Sequence, residues 1–217
     1  MNYYNEVKKN EIINVFDTIN EIHFNGPIDH SSMSKLIEEL IKLEQKIIKE
    51  TNSLKRKIDK ILKDDDHYEN DETTYSLVKI KYKPIKLYIS SHGGYVYQVL
   101  GAIDSISNMK VPVHTICKGF VASAGTILSL AGTKRFITKN SYMLIHELRS
   151  GMWGKFQEIK DDFKNCETLM NHLKKIYLEK TKIKNEDELD ELLKKDISWN
   201  AELCLEKGLV DEIIISK

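Results

Sequence analysis

Residues 111–132 read VPVHTICKGFVASAGTILSLAG, which combines an apolar strand pattern, a loop of small residues and the start of an apolar helix. The same succession comes just before it, where the strand pattern of residues 85–90 leads through Gly93 and Gly94 into a helical segment. Strands that are joined through helices are typical of parallel sheets, because hairpins join antiparallel strands. We therefore predict an α/β fold built around a parallel sheet.

The rest of the chain adds strands and helices to these layers. Strand patterns are predicted in three further segments, residues 11–24, 75–82 and 141–146. Helical periodicity covers residues 34–62, 154–180 and 186–195. In the first of these helical segments, Thr51-Asn52-Ser53 favours the end of one helix and the cap of a second. The segment DDDHYENDET, residues 64–73, suits a solvated acidic loop, or else a tail that binds a basic partner.

The composition limits the class of protein. Lys+Arg and Asp+Glu both number 33, and this balance argues against nucleic-acid binding through overall charge. No apolar run reaches the roughly 20 residues that span a bilayer, and residues 1–15 lack the apolar core of a signal peptide. Three widely spaced cysteines favour a reducing compartment without disulfides, and no CxxC or HxxxH pair suggests a metal site. We expect a single domain over residues 1–217 in the cytoplasm, or in a host cytoplasm or organelle matrix if the source is viral or organellar.

The loop GFVASAG places one hydroxyl, that of Ser123, among side chains small enough for a substrate backbone to approach. If a helix begins directly after Ser123, the Ala124 amide is a free donor at the positive end of that helix. Gly94 holds the matching place in the preceding unit and has no Cβ to block a peptide. Because the carboxyl ends of adjacent parallel strands face one crevice, the two amides are candidates for an oxyanion hole. The alternative is a plain turn between two buried elements.

A serine nucleophile needs a base, and the base needs a group that orients it. His146 closes the strand pattern of residues 141–146 and would reach the same rim as Ser123. Asp196 is a candidate for the third group, although its spacing does not select it from the 33 acidic residues. Taken singly, each of these side chains also fits a structural role.

Four segments, taken in order, resemble segments of the proteolytic subunit of Clp protease, ClpP, and of its relatives in bacteria, organelles and phages. The segments are residues 90–107, 111–132, 141–147 and 194–213. The resemblance covers about residues 20–43 and 84–215. It implies that Ser123, His146 and Asp196 form the catalytic triad and that the Gly94 and Ala124 amides form the oxyanion hole.

The resemblance also implies an architecture and partners. It predicts a crotonase-like fold of stacked ββα units, in which residues 154–180 form a handle helix between two stacked rings of seven subunits. A separate AAA+ ATPase would unfold the substrates. The chain itself has no GxxxxGK[ST] loop, so we expect no ATP or other cofactor in it.

Three features depart from the family pattern and suit a divergent or phage-type member. His92 stands where the family usually has proline, and Glu147 where it commonly has glutamine; a carboxylate there would raise the pKa of the neighbouring imidazole. Residues 44–83 have no clear counterpart and are interpreted as an insertion, a helical extension followed by the acidic loop.

The sequence therefore predicts a serine endopeptidase that cleaves unfolded polypeptides inside a ring. Gly93, Tyr95 and Val96 are expected to pair with the substrate backbone as an added strand. Two alternatives are a non-catalytic structural subunit of a mixed ring and a crotonase-like acyl-CoA enzyme. A third, a Ser–Lys peptidase, is disfavoured because such enzymes usually carry a membrane anchor. No nucleic-acid or membrane partner is expected.

Overall fold

A sheet of parallel strands forms the centre of the molecule, for which the computed structural model describes residues 20–64 and 81–215. The strands are β1 (Glu21–Asn25), β2 (Ile85–Ser91), β3 (Val113–Ala122), β4 (Lys134–Thr138), β5 (Tyr142–Leu144) and β6 (Glu212–Ile214). Their order is β1-β2-β3-β4-β6, with β5 paired beside β3, and each of these pairings is parallel. The predicted α/β fold is confirmed.

Helices connect these strands and cover the sheet. They are α1 (His30–Asp64), α2 (Val96–Ser107), α3 (Ala124–Ser129), α4 (Phe156–Lys180), α5 (Glu186–Leu193) and α6 (Ala201–Glu206). The helical patterns at residues 154–180 and 186–195 are confirmed as α4 and α5. No helix in the described part of the chain carries a stretch long and apolar enough to cross a bilayer.

The predicted break at Thr51-Asn52-Ser53 is wrong, because α1 runs through it as one helix of 35 residues. Ile47 and Thr51, one turn apart, are both buried, whereas Asn52 and Ser53 are exposed. The buried side of the helix therefore continues through Thr51, and only Asn52 and Ser53 of the predicted break face solvent. Tertiary packing overrides the local signal here.

Two strand predictions fall partly outside the described residues. In the segment 11–24, the described part begins at Asn20 and forms β1 from Glu21. In the segment 75–82, only residues 81 and 82 are described, and they are not in a strand.

The pairing of β3 positions the loops that follow the strands. Its first half pairs with β4 through residues 114–117, and its second half pairs with β5 through residues 120–122. Because β3 and β5 are parallel and end together, Ser123 and His146 leave the sheet at the same edge. Alternating side chains of β2, Ile85, Leu87 and Ile89, are fully buried beneath this edge.

An arginine in β4 fixes the C-terminal segment to the sheet. The Arg135 guanidinium binds the Asp211 carboxylate, with Nη2 2.5 Å from Oδ1 and Nε 3.1 Å from Oδ2. It also donates to the carbonyls of Lys180 and Gly208. Burial alone would raise the pKa of Asp211, but the hydrogen bonds from Arg135 outweigh this and lower it below its usual value.

Candidate active site

Ser123 forms the whole connection between β3 and α3, since β3 ends at Ala122 and α3 begins at Ala124. Its backbone has φ 56° and ψ −127°, and no other non-glycine residue in the described ranges has a positive φ. Such a conformation costs on the order of 1–3 kcal/mol and persists only where the surroundings enforce it. The Ser123 amide donates to the Leu144 carbonyl at 2.9 Å, which ties the turn to β5.

A glycine loop presses against this turn. Gly93 has φ 93°, and a Cβ built on it would lie 2.7 Å from the Ser123 Cβ. Gly94 has φ 151°, and a Cβ there would lie 2.1 Å from the Ile28 carbonyl oxygen. Only glycine fits at both places, so the loop approaches the Ser123 turn at backbone contact, as expected for two loops that share one crevice.

The segment at Ile28 occupies one edge of the glycine loop. The Ile28 amide donates to the Gly93 carbonyl and the Tyr95 amide donates to the Ile28 carbonyl, both at 2.9 Å. Backbone groups alternate in direction along extended chain, so the polar groups of Gly94 and the Val96 amide face the other way. Of the three residues predicted to pair with substrate, Gly93 and Tyr95 thus use a carbonyl and an amide, respectively, in hydrogen bonds to Ile28. Val96, the third, borders the cavity.

The predicted oxyanion donors are free in the described structure. Neither the Gly94 amide nor the Ala124 amide donates a hydrogen bond to another residue within 20–64 or 81–215. Both residues border a cavity of about 270 Å³, and Ser123 and His146 border it too. The structure therefore brings four of the five predicted catalytic residues to one cavity.

His146 lies two residues beyond β5, with its side chain only 13% exposed. Burial lowers the pKa of His146, and the nearby Arg149 charge lowers it further, while Asp196 and a backbone hydrogen bond at Glu147 oppose the change. The net direction is opposite to the one expected from Glu147, because burial dominates. A neutral imidazole at pH 7 is the form that can accept a proton.

Asp196 is near His146 but is bound elsewhere. The His146 Nδ1 lies 3.9 Å from the Asp196 Oδ1, which is too long for a hydrogen bond. The other carboxylate oxygen of Asp196 is paired with the Arg149 guanidinium. No hydrogen bond within the described ranges joins His146 to Ser123 either. The three side chains are thus neighbours without the hydrogen bonds of a working triad.

Arg149 is a site residue that the sequence reasoning missed. It borders the cavity at Ser123 and also an adjoining cavity of about 560 Å³, which Tyr95 and Cys166 line. Its only sequence signal is a cation three positions after the candidate base. His92, singled out in the sequence, also borders the first cavity and packs its ring 5.1 Å from that of Phe120.

Two buried hydroxyls beside Ser123, those of Thr126 and Tyr177, were also missed, and Tyr177 also borders the cavity. Thr126 and Tyr177 hydrogen-bond to each other, and Thr126 bonds to the Ser123 carbonyl. The described residues contain no group of three or more His, Cys, Asp or Glu side chains that could hold a metal ion.

Comparison with known protein families matches residues 73–217 to the Clp protease family, which is more than half of the chain. The ATP-dependent Clp protease proteolytic subunit of Deinococcus radiodurans is 33% identical over 132 residues. The aligned region is 60% of this chain, and it spans 64% of that relative's length.

Proposed function

Because the chain belongs to the Clp protease family, we propose that it is a serine endopeptidase that works through an acyl-enzyme. The observation that carries this proposal is the Ser123 turn, a strained non-glycine position that borders a cavity together with the largely buried imidazole of His146. Strain of this kind clusters at functional sites. A plain turn between buried elements has no need of it.

The positions of these groups support the following reaction. Ser123 Oγ attacks the scissile carbonyl while His146 accepts its proton, and the Gly94 and Ala124 amides hold the negative oxygen of the tetrahedral intermediate. His146 then donates that proton to the leaving amine, and the acyl group stays on Ser123. Water, deprotonated by His146, attacks the ester, and the second intermediate collapses to release the acid while His146 returns the proton to Ser123 Oγ.

The role proposed for Asp196 requires a rearrangement. To orient His146, its carboxylate must come within about 3 Å of the ring nitrogen, compared with the 3.9 Å of the described structure. Two observations favour the alternative of a non-catalytic subunit: Asp196 pairs with Arg149, and no hydrogen bond within the described ranges joins His146 to Ser123. Under our proposal, assembly into a ring supplies the rearrangement.

Assembly and partners are part of the same proposal. Helix α4 exposes a ridge of large apolar side chains, with Phe156 75% and Phe163 58% exposed, and Trp153 just before the helix is 97% exposed. Such a ridge suits contact with another subunit, in keeping with a handle between two heptameric rings. A separate AAA+ ATPase would deliver unfolded polypeptides, and residues 44–83 would include an insertion relative to the family, ahead of the matched residues 73–217. The three cysteines are free thiols, which suits the cytoplasm.

The test is hydrolysis of a fluorogenic peptide by the purified particle, whose native mass is measured in parallel. We expect turnover by the wild type and its loss in Ser123→Ala, while Ser107→Ala, which removes an exposed hydroxyl on α2, leaves turnover unchanged. Peptide hydrolysis that survives Ser123→Ala would contradict the proposal. Acyl-CoA turnover that survives it, without peptide hydrolysis, would favour the crotonase-like alternative. An assembled particle that does not turn over peptide would favour the non-catalytic one.

A further inference from the structure

A chain of buried hydroxyls joins the long helix α4 to the Ser123 turn. The Tyr177 Oη lies 2.6 Å from the Thr126 Oγ1, and the Thr126 Oγ1 lies 2.6 Å from the Ser123 carbonyl oxygen. Both side chains are buried, Thr126 completely. The reaction proposed above uses neither of them.

The direction of the two hydrogen bonds is fixed by their chemistry. A carbonyl oxygen only accepts, so the single hydroxyl proton of Thr126 goes to Ser123, and Tyr177 must donate to Thr126. Burial raises the pKa of Tyr177, although the bond to Thr126 opposes this in part, so the phenol stays protonated and remains a donor. Each bond in such a chain polarises the next, which strengthens the one that reaches Ser123.

The Ser123 carbonyl belongs to the same peptide plane as the Ala124 amide. In a planar trans peptide the C=O and N–H bonds point in opposite directions, and the described residues contain no cis peptide. The carbonyl is held toward the first turn of α3 by both the Thr126 amide, at 2.9 Å, and the Thr126 hydroxyl. The Ala124 N–H must therefore point the other way, and Ala124 borders the cavity.

We propose that Thr126 and Tyr177 are positioning residues that fix the Ser123–Ala124 peptide plane and thereby aim the Ala124 N–H at the oxyanion. This inference rests on the proposed function and deepens it. The strained Ser123 backbone can relax by rotation of that peptide plane, and such a rotation would remove the oxyanion donor from the cavity. The Thr126 amide alone supplies the ordinary hydrogen bond of the turn. The Thr126 hydroxyl adds a second hydrogen bond to the Ser123 carbonyl, and Tyr177 connects this hydroxyl to α4.

The test compares Thr126→Val, Thr126→Ser and Tyr177→Phe with the wild type. The probes are a fluorogenic peptide and a peptide boronate, whose tetrahedral adduct with serine places an oxygen in the oxyanion hole. For Thr126→Val we expect kcat and boronate affinity to fall together by about 10- to 100-fold, somewhat less than the loss of a whole oxyanion donor. KM should stay within about twofold, because the ground state does not use the oxyanion hole. Thr126→Ser, which keeps the hydroxyl, should have the wild-type kcat and boronate affinity. Tyr177→Phe should have values between those of the wild type and those of Thr126→Val.

Thr115→Val is the matched control. Thr115 is fully buried, and its hydroxyl donates to the Ser129 carbonyl at 2.7 Å, away from the cavity. It should lose similar stability but keep the wild-type kcat and boronate affinity. Equal losses in Thr115→Val and Thr126→Val, or wild-type values in Thr126→Val, would overturn the inference. If Thr126→Val does not fold, wild-type values in Tyr177→Phe overturn it. A wild type that neither cleaves the peptide nor binds the boronate overturns the proposed function itself, and the inference with it.

Discussion

The Gly93→Ala substitution tests whether the glycine loop holds the Ser123 turn in place. At φ 93°, the new Cβ would lie 2.7 Å from the Ser123 Cβ and 2.8 Å from the Ala122 carbonyl oxygen. Real Cβ atoms essentially never approach other atoms this closely. Neither neighbour is the tip of a flexible side chain, so relief requires movement of the backbone around Ser123.

The expected cost has two parts. A non-glycine residue in a disfavoured backbone region costs roughly 1–3 kcal/mol, and overpacking costs roughly another 1–3 kcal/mol. The free energy of unfolding should therefore fall by roughly 2–6 kcal/mol, a large share of the roughly 5–15 kcal/mol that a native protein has. For a chain of this size, each kcal/mol lowers Tm by roughly 2–4 °C, so Tm should fall by roughly 4–24 °C.

The assay is thermal unfolding followed by circular dichroism, together with kcat for a fluorogenic peptide well below Tm. Gly101→Ala is the matched control, because it makes the same change at an exposed position of α2 where nothing lies within 4 Å of the new Cβ. Alanine is the better helix former by about 1 kcal/mol, so this control should raise Tm slightly and leave kcat unchanged.

The two glycines should therefore respond with opposite signs. If Gly93→Ala unfolds at the wild-type temperature and keeps the wild-type kcat, the loop does not constrain the Ser123 turn, and the reasoning fails. A fall in Tm with unchanged kcat would confirm the clash but refute its connection to the reactive serine.

Three further predictions concern charge and burial. Arg149→Gln should raise the pKa of His146, because the guanidinium lowers it, and the acid limb of the kcat/KM–pH profile should therefore move to higher pH. Arg149→Lys, which keeps the charge, should leave that limb near its wild-type position, and a limb that stays or moves to lower pH in Arg149→Gln would contradict the prediction. Thr51→Val should match or exceed the wild-type stability in urea, by up to about 2 kcal/mol, since the Thr51 hydroxyl is buried without a hydrogen-bond partner among the described residues; a clear loss would show that the hydroxyl is bonded. Asp211→Asn should lower the free energy of unfolding by about 1–3 kcal/mol at pH 7. Because folding depresses the pKa of Asp211, the extra stability of the wild type should be lost as the pH falls through that pKa, and an equal stability difference at pH 7 and pH 3 would refute the role of the ion pair with Arg135.

The sequence was sufficient for the elements whose signals are local. The strand–loop–helix order around Gly93 and Ser123 predicted the parallel sheet, and the ends of β3 and β5 predicted that Ser123 and His146 would share an edge. Helix α6 and strand β6 were not predicted. Each is short, and the segment that contains them was interpreted as a family motif and not from a helical or strand periodicity.

The contacts that decide the state of the site are not local. Arg149 meets Asp196 across 47 positions, and Tyr177 meets Thr126 across 51. Neither separation corresponds to a helical or strand periodicity. Each contact depends on how α4 and the loop before α6 pack against the edge of the sheet. The continuous path of α1 through Thr51 has the same origin, since the buried face of a helix is fixed by its neighbours and not by its capping residues.

Whether Ser123 is an activated nucleophile is measured by the rate at which a fluorophosphonate modifies the assembled particle, with the modified residue mapped by mass spectrometry. We expect one adduct, on Ser123, and a rate that falls by at least about 1,000-fold in His146→Ala. The rate should not change in His172→Ala, which alters an exposed histidine of α4. An assembled wild-type particle without an adduct on Ser123, or an equal rate in His146→Ala, would contradict this expectation.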